Sequence, residues 1–475
     1  MEFRTIVGLE IHSELKTKSK IFCGCTTEFG GEVNTQCCPV CLGLPGSLPV
    51  VNKKVIDFAI KTGLSFNCDI ARYSKMDRKN YFYPDLVKAY QISQYDLPLC
   101  SNGGIEIEKA DGTKKEIRLI RIHIEEDTGK SLHGLEDVSL LDYNRSGVGL
   151  IEIVTQPDIS TAEEASLFLD ELKATLEYLE VSDVKMEQGS LRCDVNVNVV
   201  SLDGTLKSNI SEIKNLNSFK AVQKAIEFET IRHTELLKKG ENTKKDTRRW
   251  DSENNVTLFM RDKQHVQDYR YFPEPDIVDF EISEKWIQGI KDNLPELPKA
   301  RKNRFMSEYG IPAYDANVLV ADKKLANYFE EICIGFKDAK LVSNWIMTEL
   351  LRRMNLEELT LEELKFSIED LIVLFTQLSE SKISNGSAKK VFREMFEDGK
   401  KPLDIIEEKG MAQISDDSFI EGLVNEVLAA NPEAIEDIKN GKDRAIGFLV
   451  GQVMKKSKGK ANPQMVSELI KKNSI

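Results

Sequence analysis

The amino-acid sequence predicts an α+β protein: a mainly antiparallel N-terminal sheet domain, then an all-helical domain and a small helical tail domain. Up to about residue 290, polar and apolar residues alternate with a period of two, and Gly, Pro, Asn and Asp separate the runs. After the proline-rich stretch at 295–301 the chain becomes rich in Leu, Glu and Lys. We therefore predict domains at 1–293, 294–405 and 406–475.

Two helices are predicted inside the sheet domain. Ser160 or Thr161 can cap the first, with Glu164 at the capping-box distance. Leucines then recur at helical spacing through residue 179, and a second helical run covers about 219–239.

Composition sets the class of protein. The 475 residues carry a net charge of −13, with 41% hydrophobic and 30% charged residues, which excludes a disordered or collagen-like chain. No apolar stretch approaches the 18 residues of a membrane span, and the N-terminus enters a strand pattern at once. We expect a cytoplasmic protein without a membrane segment.

Several strands carry acidic, amide or imidazole side chains on one face. Glu10 and His12 share a face of the first strand because side chains alternate across a strand. The same alternation groups further polar residues on later strands: Arg121, His123, Glu125, Glu152, Arg192, Asp194, Asn196, Asn198, Glu212 and Lys214. Asp and Asn are depleted in ordinary strands. Converging carboxylates with one imidazole suit Mg²⁺; a hydrated sheet face that binds nothing is the alternative.

Five of the nine cysteines lie between residues 23 and 41. Cys23 and Cys25 form one close pair, and Cys38 and Cys41 form a second twelve residues later. Two such pairs match a closed, structural Zn²⁺ site, with free thiols as the alternative. Cys37 could replace the first ligand of the second pair, but Cys38 restores the C-x-x-C spacing.

Other catalytic signatures are missing from the sequence. The Gly-Lys-Ser tripeptide at 129–131 lacks the earlier glycine that a P-loop needs. No G-x-S-x-G elbow, no H-E-x-x-H helix and no cysteine directly after Met1 is present. The sequence therefore does not indicate an amidase.

The C-terminal end is basic. Residues 439–475 contain nine Lys or Arg against two acidic residues, a net charge of +7 on an acidic chain. Such an end suits an anionic partner such as nucleic acid, although a solvated lysine-rich terminus is common.

At these residues the sequence closely resembles one family, the B subunits of bacterial aspartyl/glutamyl-tRNA(Asn/Gln) amidotransferases (GatB of GatCAB). Matching segments run through the chain in the family's order, and include VGLEIHSEL (7–15), CPVCLGLPGSLPVVN (38–52), RKNYFYPDL (78–86), IHIEEDTGK (122–130), GSLRCDVNV (189–197) and LVGQVMKKSKGKANP (449–463). One departure is Val87-Lys88-Ala89, where the family usually has Pro-Lys-Gly.

The resemblance implies one component of a carbon–nitrogen ligase that acts on tRNA. With ATP and Mg²⁺ it would phosphorylate the side-chain carboxylate of Glu-tRNA(Gln), Asp-tRNA(Asn) or both. Ammonia from glutamine, released by a separate amidase chain (GatA), would then give the amide. A small third chain (GatC) would complete the heterotrimer, and the sheet domain would form the family's cradle.

The resemblance also assigns residues. It implies Mg²⁺ binding by Glu10, His12, Glu125 and Glu152, with Asp194 and Glu212 as further members, and we expect Arg192 and Lys214 to contact phosphate. Cys23, Cys25, Cys38 and Cys41 fall on the ligands of the family's zinc knuckle. Lys455, Lys456, Lys458 and Lys460 fall in its tRNA-binding tail.

Two other functions stay open at this level. A metal-stabilised tRNA-binding protein without chemistry would use only the knuckle and the basic tail. A self-sufficient ATP-dependent amide ligase would use free ammonia and need no partner chain.

Overall fold

The computed structural model describes residues 1–133, 138–263, 266–413, 417–439, 444–457 and 461–473. The chain divides into two compact units, Met1–Pro298 and Lys299–Ile475. The further division predicted near residue 405 stays a prediction. An α+β architecture is confirmed, with strands in the first unit and helices in the second.

The first unit contains all sixteen strands found in the described residues, together with four helices. The strands are β1 (Phe3–Glu14), β2 (Asp69–Ile70), β3 (Tyr73–Ser74), β4 (Asp77–Asn80), β5 (Tyr90–Ser93), β6 (Cys100–Glu108), β7 (Lys114–Glu126), β8 (Lys130–His133), β9 (Ser139–Asp142), β10 (Gly149–Thr155), β11 (Leu191–Ser201), β12 (Ser211–Lys214), β13 (Asp246–Asp251), β14 (Val256–Asp262), β15 (Phe272–Pro273) and β16 (Phe280–Glu281). The helices are α1 (Lys53–Ser65), α2 (Ala162–Leu179), α3 (Phe219–Lys238) and α4 (Glu284–Lys291).

Nine of these strands form one sheet in the order β14-β13-β12-β11-β1-β10-β7-β6-β2. Neighbouring strands are antiparallel except β12 and β13, which are parallel. In the centre, His12 of β1 lies opposite Glu152 of β10 and Arg192 of β11. This register aligns the polar residues of the central strands on one face of the sheet.

The other face of the sheet is the apolar core. Val7, Leu9 and Ile11 of β1 are buried there with residues of α1, α2 and α3. The cap predicted for α2 is confirmed, since the Thr161 hydroxyl accepts a hydrogen bond from the Glu164 backbone N–H at 3.1 Å. Helix α3 matches the second predicted run. The sequence analysis missed α1, whose Val and Ile residues resemble a strand.

The second unit contains helices and no strand in its described residues. It contains α5 (Pro298–Glu308), α6 (Ala313–Val320), α7 (Lys323–Gly335), α8 (Ala339–Trp345), α9 (Leu351–Glu357), α10 (Ile368–Ser379), α11 (Asn385–Asp398), α12 (Pro402–Glu408), α13 (Asp417–Ala430), α14 (Pro432–Lys439), α15 (Arg444–Lys456) and α16 (Pro463–Asn473). Helices α13, α15 and α16 bury a shared apolar cluster. A helix with the length and apolarity needed to cross a bilayer does not occur in the described part of the chain.

The backbone of Ala89 adopts a conformation that favours glycine. Ala89 is exposed and has a φ of +60°, the left-handed region that costs an L-residue about 1–2 kcal/mol. Glycine adopts this region freely but adds about 0.5–1 kcal/mol of chain entropy. We expect Ala89→Gly to stabilise the protein by about 0.5–1 kcal/mol, measured by urea unfolding. Ala110→Gly, at an exposed turn position with negative φ, should not stabilise; equal gains in both variants would contradict the assignment.

Candidate active site

A triad of one imidazole and two carboxylates occupies the middle of the polar face. The His12 Nε2 atom lies 3.4 Å from a carboxylate oxygen of Glu125 and 3.4 Å from one of Glu152. One ligand atom from each residue lies within 4.8 Å of the other two. Both carboxylates are buried. This arrangement can hold a cation, because buried carboxylates require a compensating positive charge.

The electrostatics of the triad favour ionised carboxylates. Burial disfavours the Glu152 carboxylate, but the His123 and His12 imidazoles lower its pKa to about 2. Burial likewise opposes ionisation of Glu125, yet His12, His123 and Lys79 hold its pKa well below the usual value. Burial also disfavours the His12 imidazolium, but its two carboxylate partners raise its pKa to about 10. The triad thus attracts positive charge at neutral pH.

Lys79 is a site residue that the sequence analysis missed. Its ammonium lies 5.8 Å from the ring centroid of Tyr81 and 5.2 Å from that of Tyr269. Burial disfavours its charged form, but the Glu125 and Glu152 carboxylates raise the pKa of Lys79 above its ordinary value. Lys79 comes from β4, which belongs to a small separate sheet. Its ammonium adds a cation beside the two carboxylates of the triad.

Two arginines converge at one end of the polar face. Arg192 Nη2 donates to Asp127 Oδ2 at 2.6 Å, and Arg145 Nε lies 3.6 Å from the same oxygen. Arg145 also donates to the carbonyls of Thr128 and Gly129, at 3.0 and 2.9 Å. We call Arg145, Asp127 and Arg192 the arginine end. It can bind an anion, since two guanidiniums meet the ionised Asp127 there, while burial and Asp127 raise the pKa of the neighbouring Glu14 to about 8.

The other end of the polar face holds the remaining predicted residues. Asn196 Nδ2 donates to Glu10 Oε1 at 2.9 Å. Lys214 forms an ion pair with Asp194 and lies 3.7 Å from Glu212. A further cation, Lys263, lies 3.7 Å from Glu212 and was not predicted. Glu10 is therefore outside the three-residue ligand group. Burial raises the pKa of Glu10, and the nearby Glu152 carboxylate raises it further.

The structure thus distributes the eight predicted catalytic residues over three places on one face. His12, Glu125 and Glu152 meet in the centre, Arg192 lies at the arginine end, and the other four lie at the opposite end. Lys79 and Asp127 could have been found from the sequence, since both lie inside segments that resemble the family. Lys263 had no such signal in the sequence.

The four predicted cysteines form a second potential metal group. Their Sγ atoms lie within 4.8 Å of one another. A tetrahedron with Zn–S bonds of ~2.3 Å has edges of about 3.8 Å, so the spacing suits one ion. Cys38 completes the group; Cys37 instead contacts Asn144 Oδ1 at 3.8 Å. A hydrogen bond from Cys23, together with others, lowers the pKa of Cys41 to about 4 against the effect of burial.

The tail lysines are placed only in part. Lys455 and Lys456 are exposed in the last turn of α15, and Lys456 pairs with Glu426 at 2.5 Å. Lys458 and Lys460 lie outside the described residues.

Comparison with known proteins gives two family matches. Residues 5–288 match the model described as the GatB/GatE catalytic domain, and residues 327–473 match the model described as the GatB domain. The first match covers the whole polar face and the four cysteines.

Full-length relatives carry one common name, that of the B subunit of aspartyl/glutamyl-tRNA(Asn/Gln) amidotransferase. The protein of Thermoanaerobacter sp. strain X514 is 53% identical over 99% of both chains. That of Caldanaerobacter subterraneus subsp. tengcongensis is 54% identical over 99% of both chains. The Clostridium botulinum strain Okra protein is 52% identical over 99% of this chain and 98% of its own. This chain therefore belongs to the family of aspartyl/glutamyl-tRNA(Asn/Gln) amidotransferase B subunits.

Proposed function

We propose that the polar face activates the side-chain carboxylate of Glu-tRNA(Gln), Asp-tRNA(Asn) or both for amide formation. A carboxylate oxygen of the aminoacyl group attacks the γ-phosphorus of ATP, the bond to the β-γ bridging oxygen breaks, and ADP leaves. Ammonia then attacks the carbonyl carbon of the acyl phosphate, and inorganic phosphate leaves with the former carboxylate oxygen. The products are the amidated tRNA, ADP and phosphate.

The central triad is the observation that carries this proposal. Mg²⁺ takes oxygen ligands and is usually shared with substrate phosphates, and two buried, ionised carboxylates supply such ligands. Glu125 and Glu152 would hold the ion. His12 would become the third ligand by releasing its proton to solvent when the ion replaces that positive charge, and Glu10 is near enough to join through water. When bound, the ion would neutralise phosphoryl charge.

The chain's own cations would neutralise the rest of that charge. Phosphoryl transfer depends mostly on positioning and on charge stabilisation. Arg192 at the arginine end and Lys214 at the opposite end are our candidates for phosphate contacts. Asp194 and Glu212 would hold the Lys214 ammonium in place. Lys79 would add a third cation, beside Glu125 and Glu152 of the triad.

Lys79 gives a direct test of charge stabilisation. We expect Lys79→Met to lower kcat for tRNA-dependent ATP hydrolysis by about 10²-fold, because one cation beside the triad is lost. Steady-state kinetics of the assembled enzyme measure this. Lys75→Met, which removes a lysine that pairs with Asp77 and Asp96, should change kcat less than threefold. A Lys79→Met enzyme with normal kcat would contradict the role.

The exposed tail lysines are proposed to contact tRNA phosphates. The double variant Lys455→Ala, Lys456→Ala should weaken tRNA binding several-fold and reduce the salt dependence of log Kd by about one to two units of slope. Filter binding across a salt series measures both quantities. An unchanged salt slope would contradict the contact. The corresponding control is Lys389→Ala, which removes a lysine paired with Glu349 in another helix.

We also propose the partners that the chemistry requires. The sequence carries no recognisable glutaminase signature, so a separate amidase chain (GatA) must supply ammonia, and a small third chain (GatC) would complete the complex. Zn²⁺ at Cys23, Cys25, Cys38 and Cys41 would be structural, because four thiolates leave no open position.

The proposal is tested with the three chains expressed together. Mg²⁺-dependent ATP hydrolysis is measured with and without Glu-tRNA(Gln) and with Asp-tRNA(Asn), alongside amide formation from glutamine. We expect hydrolysis to rise strongly with charged tRNA. If charged tRNA binds without stimulating hydrolysis, the chain is a tRNA-binding component without kinase chemistry. Full activity of this chain alone with ammonium salts would instead show a self-sufficient ligase.

A further inference from the structure

The loop at residues 141–147 contacts two parts of the first unit. One is the segment 23–41, which carries the four predicted cysteines and which we call the knuckle, and the other is the arginine end. On one side, it contributes Arg145, whose guanidinium donates to the Thr128 and Gly129 carbonyls and lies beside Asp127. The Gly147 backbone N–H donates to the Asp127 carbonyl at 2.9 Å. The position of this loop therefore fixes Asp127, and through Asp127 it fixes Arg192.

On its other side, the loop is hydrogen-bonded to the knuckle segment 32–36 through two asparagines. Asn34 Nδ2 donates to the Leu141 carbonyl at 2.9 Å, and its Oδ1 accepts from the Tyr143 N–H at 2.7 Å. In return, Asn144 Oδ1 accepts from the Gln36 N–H at 2.8 Å, and its Nδ2 donates to the Glu32 carbonyl at 2.6 Å. Each side-chain amide thus donates to one backbone carbonyl and accepts from one backbone N–H, as a neighbouring strand would. This pattern allows one alignment of the two segments.

Lys20 links these two segments to the cysteine cluster. It is fully buried, and its Nζ lies 2.8 Å from the Gln36 carbonyl, 3.4 Å from the Tyr143 carbonyl and 3.6 Å from Cys41 Sγ. In the part of the chain that the structure describes, no carboxylate lies within ion-pair distance of this ammonium. A buried ammonium needs a negative partner, and a metal-bound Cys41 is a thiolate by chemistry.

We propose that Lys20 is a positioning residue that couples metal binding at the four cysteines to the arginine end. Metal-bound thiolates provide the charge that keeps the ammonium between Gln36 and Tyr143. The ammonium in turn stabilises the Cys41 thiolate against loss of the metal. The knuckle therefore sets the position of Arg145, Asp127 and Arg192. The second half of this inference rests on the proposed function, whereas the first half requires only a metal at the cysteines.

The first experiment measures metal release. The assembled enzyme is loaded with Zn²⁺, and transfer of the ion to a colorimetric chelator is followed for wild type, Lys20→Met and Lys18→Met. Lys18 is exposed two residues away and serves as the matched control. We expect Lys20→Met to release zinc about tenfold faster, with wild-type kinetics for the control. Equal release rates in all three proteins, or a wild-type protein that holds no zinc, would overturn the inference.

The second experiment measures coupling. We expect Lys20→Met to raise the KM for ATP several-fold with a smaller change in kcat, and removal of zinc from wild type to do the same. The two changes together should have no larger effect than either alone, because they act through one contact. Fully additive effects would overturn the coupling.

The variant Asn144→Ala tests the effect of the loop's position without changing the metal ligands. It also replaces Lys20→Met as the test variant if Lys20→Met does not fold. It removes the contacts to Gln36, Glu32 and Cys37 but changes neither Lys20 nor the four predicted ligand cysteines. We expect wild-type zinc release together with a raised KM for ATP; a normal KM would overturn the positioning role. If wild type shows no tRNA-dependent ATP hydrolysis, the proposed function fails, while the release experiment still decides the Lys20 contact with the cluster.

Discussion

Replacing Glu125 by glutamine is expected to lower tRNA-dependent ATP hydrolysis by about 10³-fold or more, equivalent to about 4 kcal/mol of transition-state stabilisation. Glu125 is buried, and it contacts His12, His123 and Ser93 as well as completing the central ligand group. The amide has the same shape but lacks the negative charge that a cation requires. Charged-tRNA binding should stay within a few-fold of wild type, because the change is confined to the centre of the polar face.

The matched control for this variant is Glu116→Gln. Glu116 lies on the same strand, β7, but is exposed. Its replacement should leave hydrolysis within threefold of wild type. If Glu125→Gln and Glu116→Gln had the same small effect, the triad would not be the site of the reaction.

Replacing Glu229 by glutamine is expected to destabilise the first unit by about 3 kcal/mol. Glu229 is fully buried on α3, where Arg232 donates to it at 2.6 Å, His233 Nε2 lies 2.9 Å away and Arg248 lies 3.3 Å away. The change would remove the carboxylate that Arg232, His233 and Arg248 share, although Arg248 would still pair with Asp246. Breaking such a buried pair costs several kcal/mol. We expect a fall in Tm of about 5–10 °C by calorimetry.

Acid should weaken the same network. Burial opposes ionisation of Glu229, but hydrogen bonds from His233 and Arg232 lower its pKa to about 2. A carboxylate whose pKa is lower in the folded state stabilises the fold above its unfolded pKa. This contribution is complete above about pH 4.5 and is lost as the pH falls toward 2.

Glu227→Gln is the control, because Glu227 is exposed on the same helix. It should change Tm by less than about 1 °C. If Glu229→Gln melted at the wild-type temperature, the network would be dispensable for stability.

Local patterns in the sequence predicted much of this fold. Thr161 and Glu164 identified the start of α2, and the alternation along β1 placed Glu10 and His12 opposite the apolar core. Both signals are local, since a cap spans three residues and a strand face repeats every two. Helix α1 was missed because its β-branched residues also favour strands.

The parts of the site that sequence could not predict come from long-range contacts. Lys79 reaches the triad from a different sheet, and Arg145 reaches Asp127 from a loop. Lys263 joins Glu212 from beyond β14 without any recognisable motif. No spacing along the chain encodes such meetings, because they depend on how separate elements pack.

The transfer of a carboxylate oxygen to phosphate tests the central claim most directly. Glu-tRNA(Gln) labelled with ¹⁸O in both side-chain carboxylate oxygens is converted by the assembled enzyme with ATP and glutamine, and the released phosphate is analysed by mass spectrometry. Activation through an acyl phosphate predicts one ¹⁸O atom in each phosphate formed with amide. Unlabelled phosphate accompanying the amide product would contradict it.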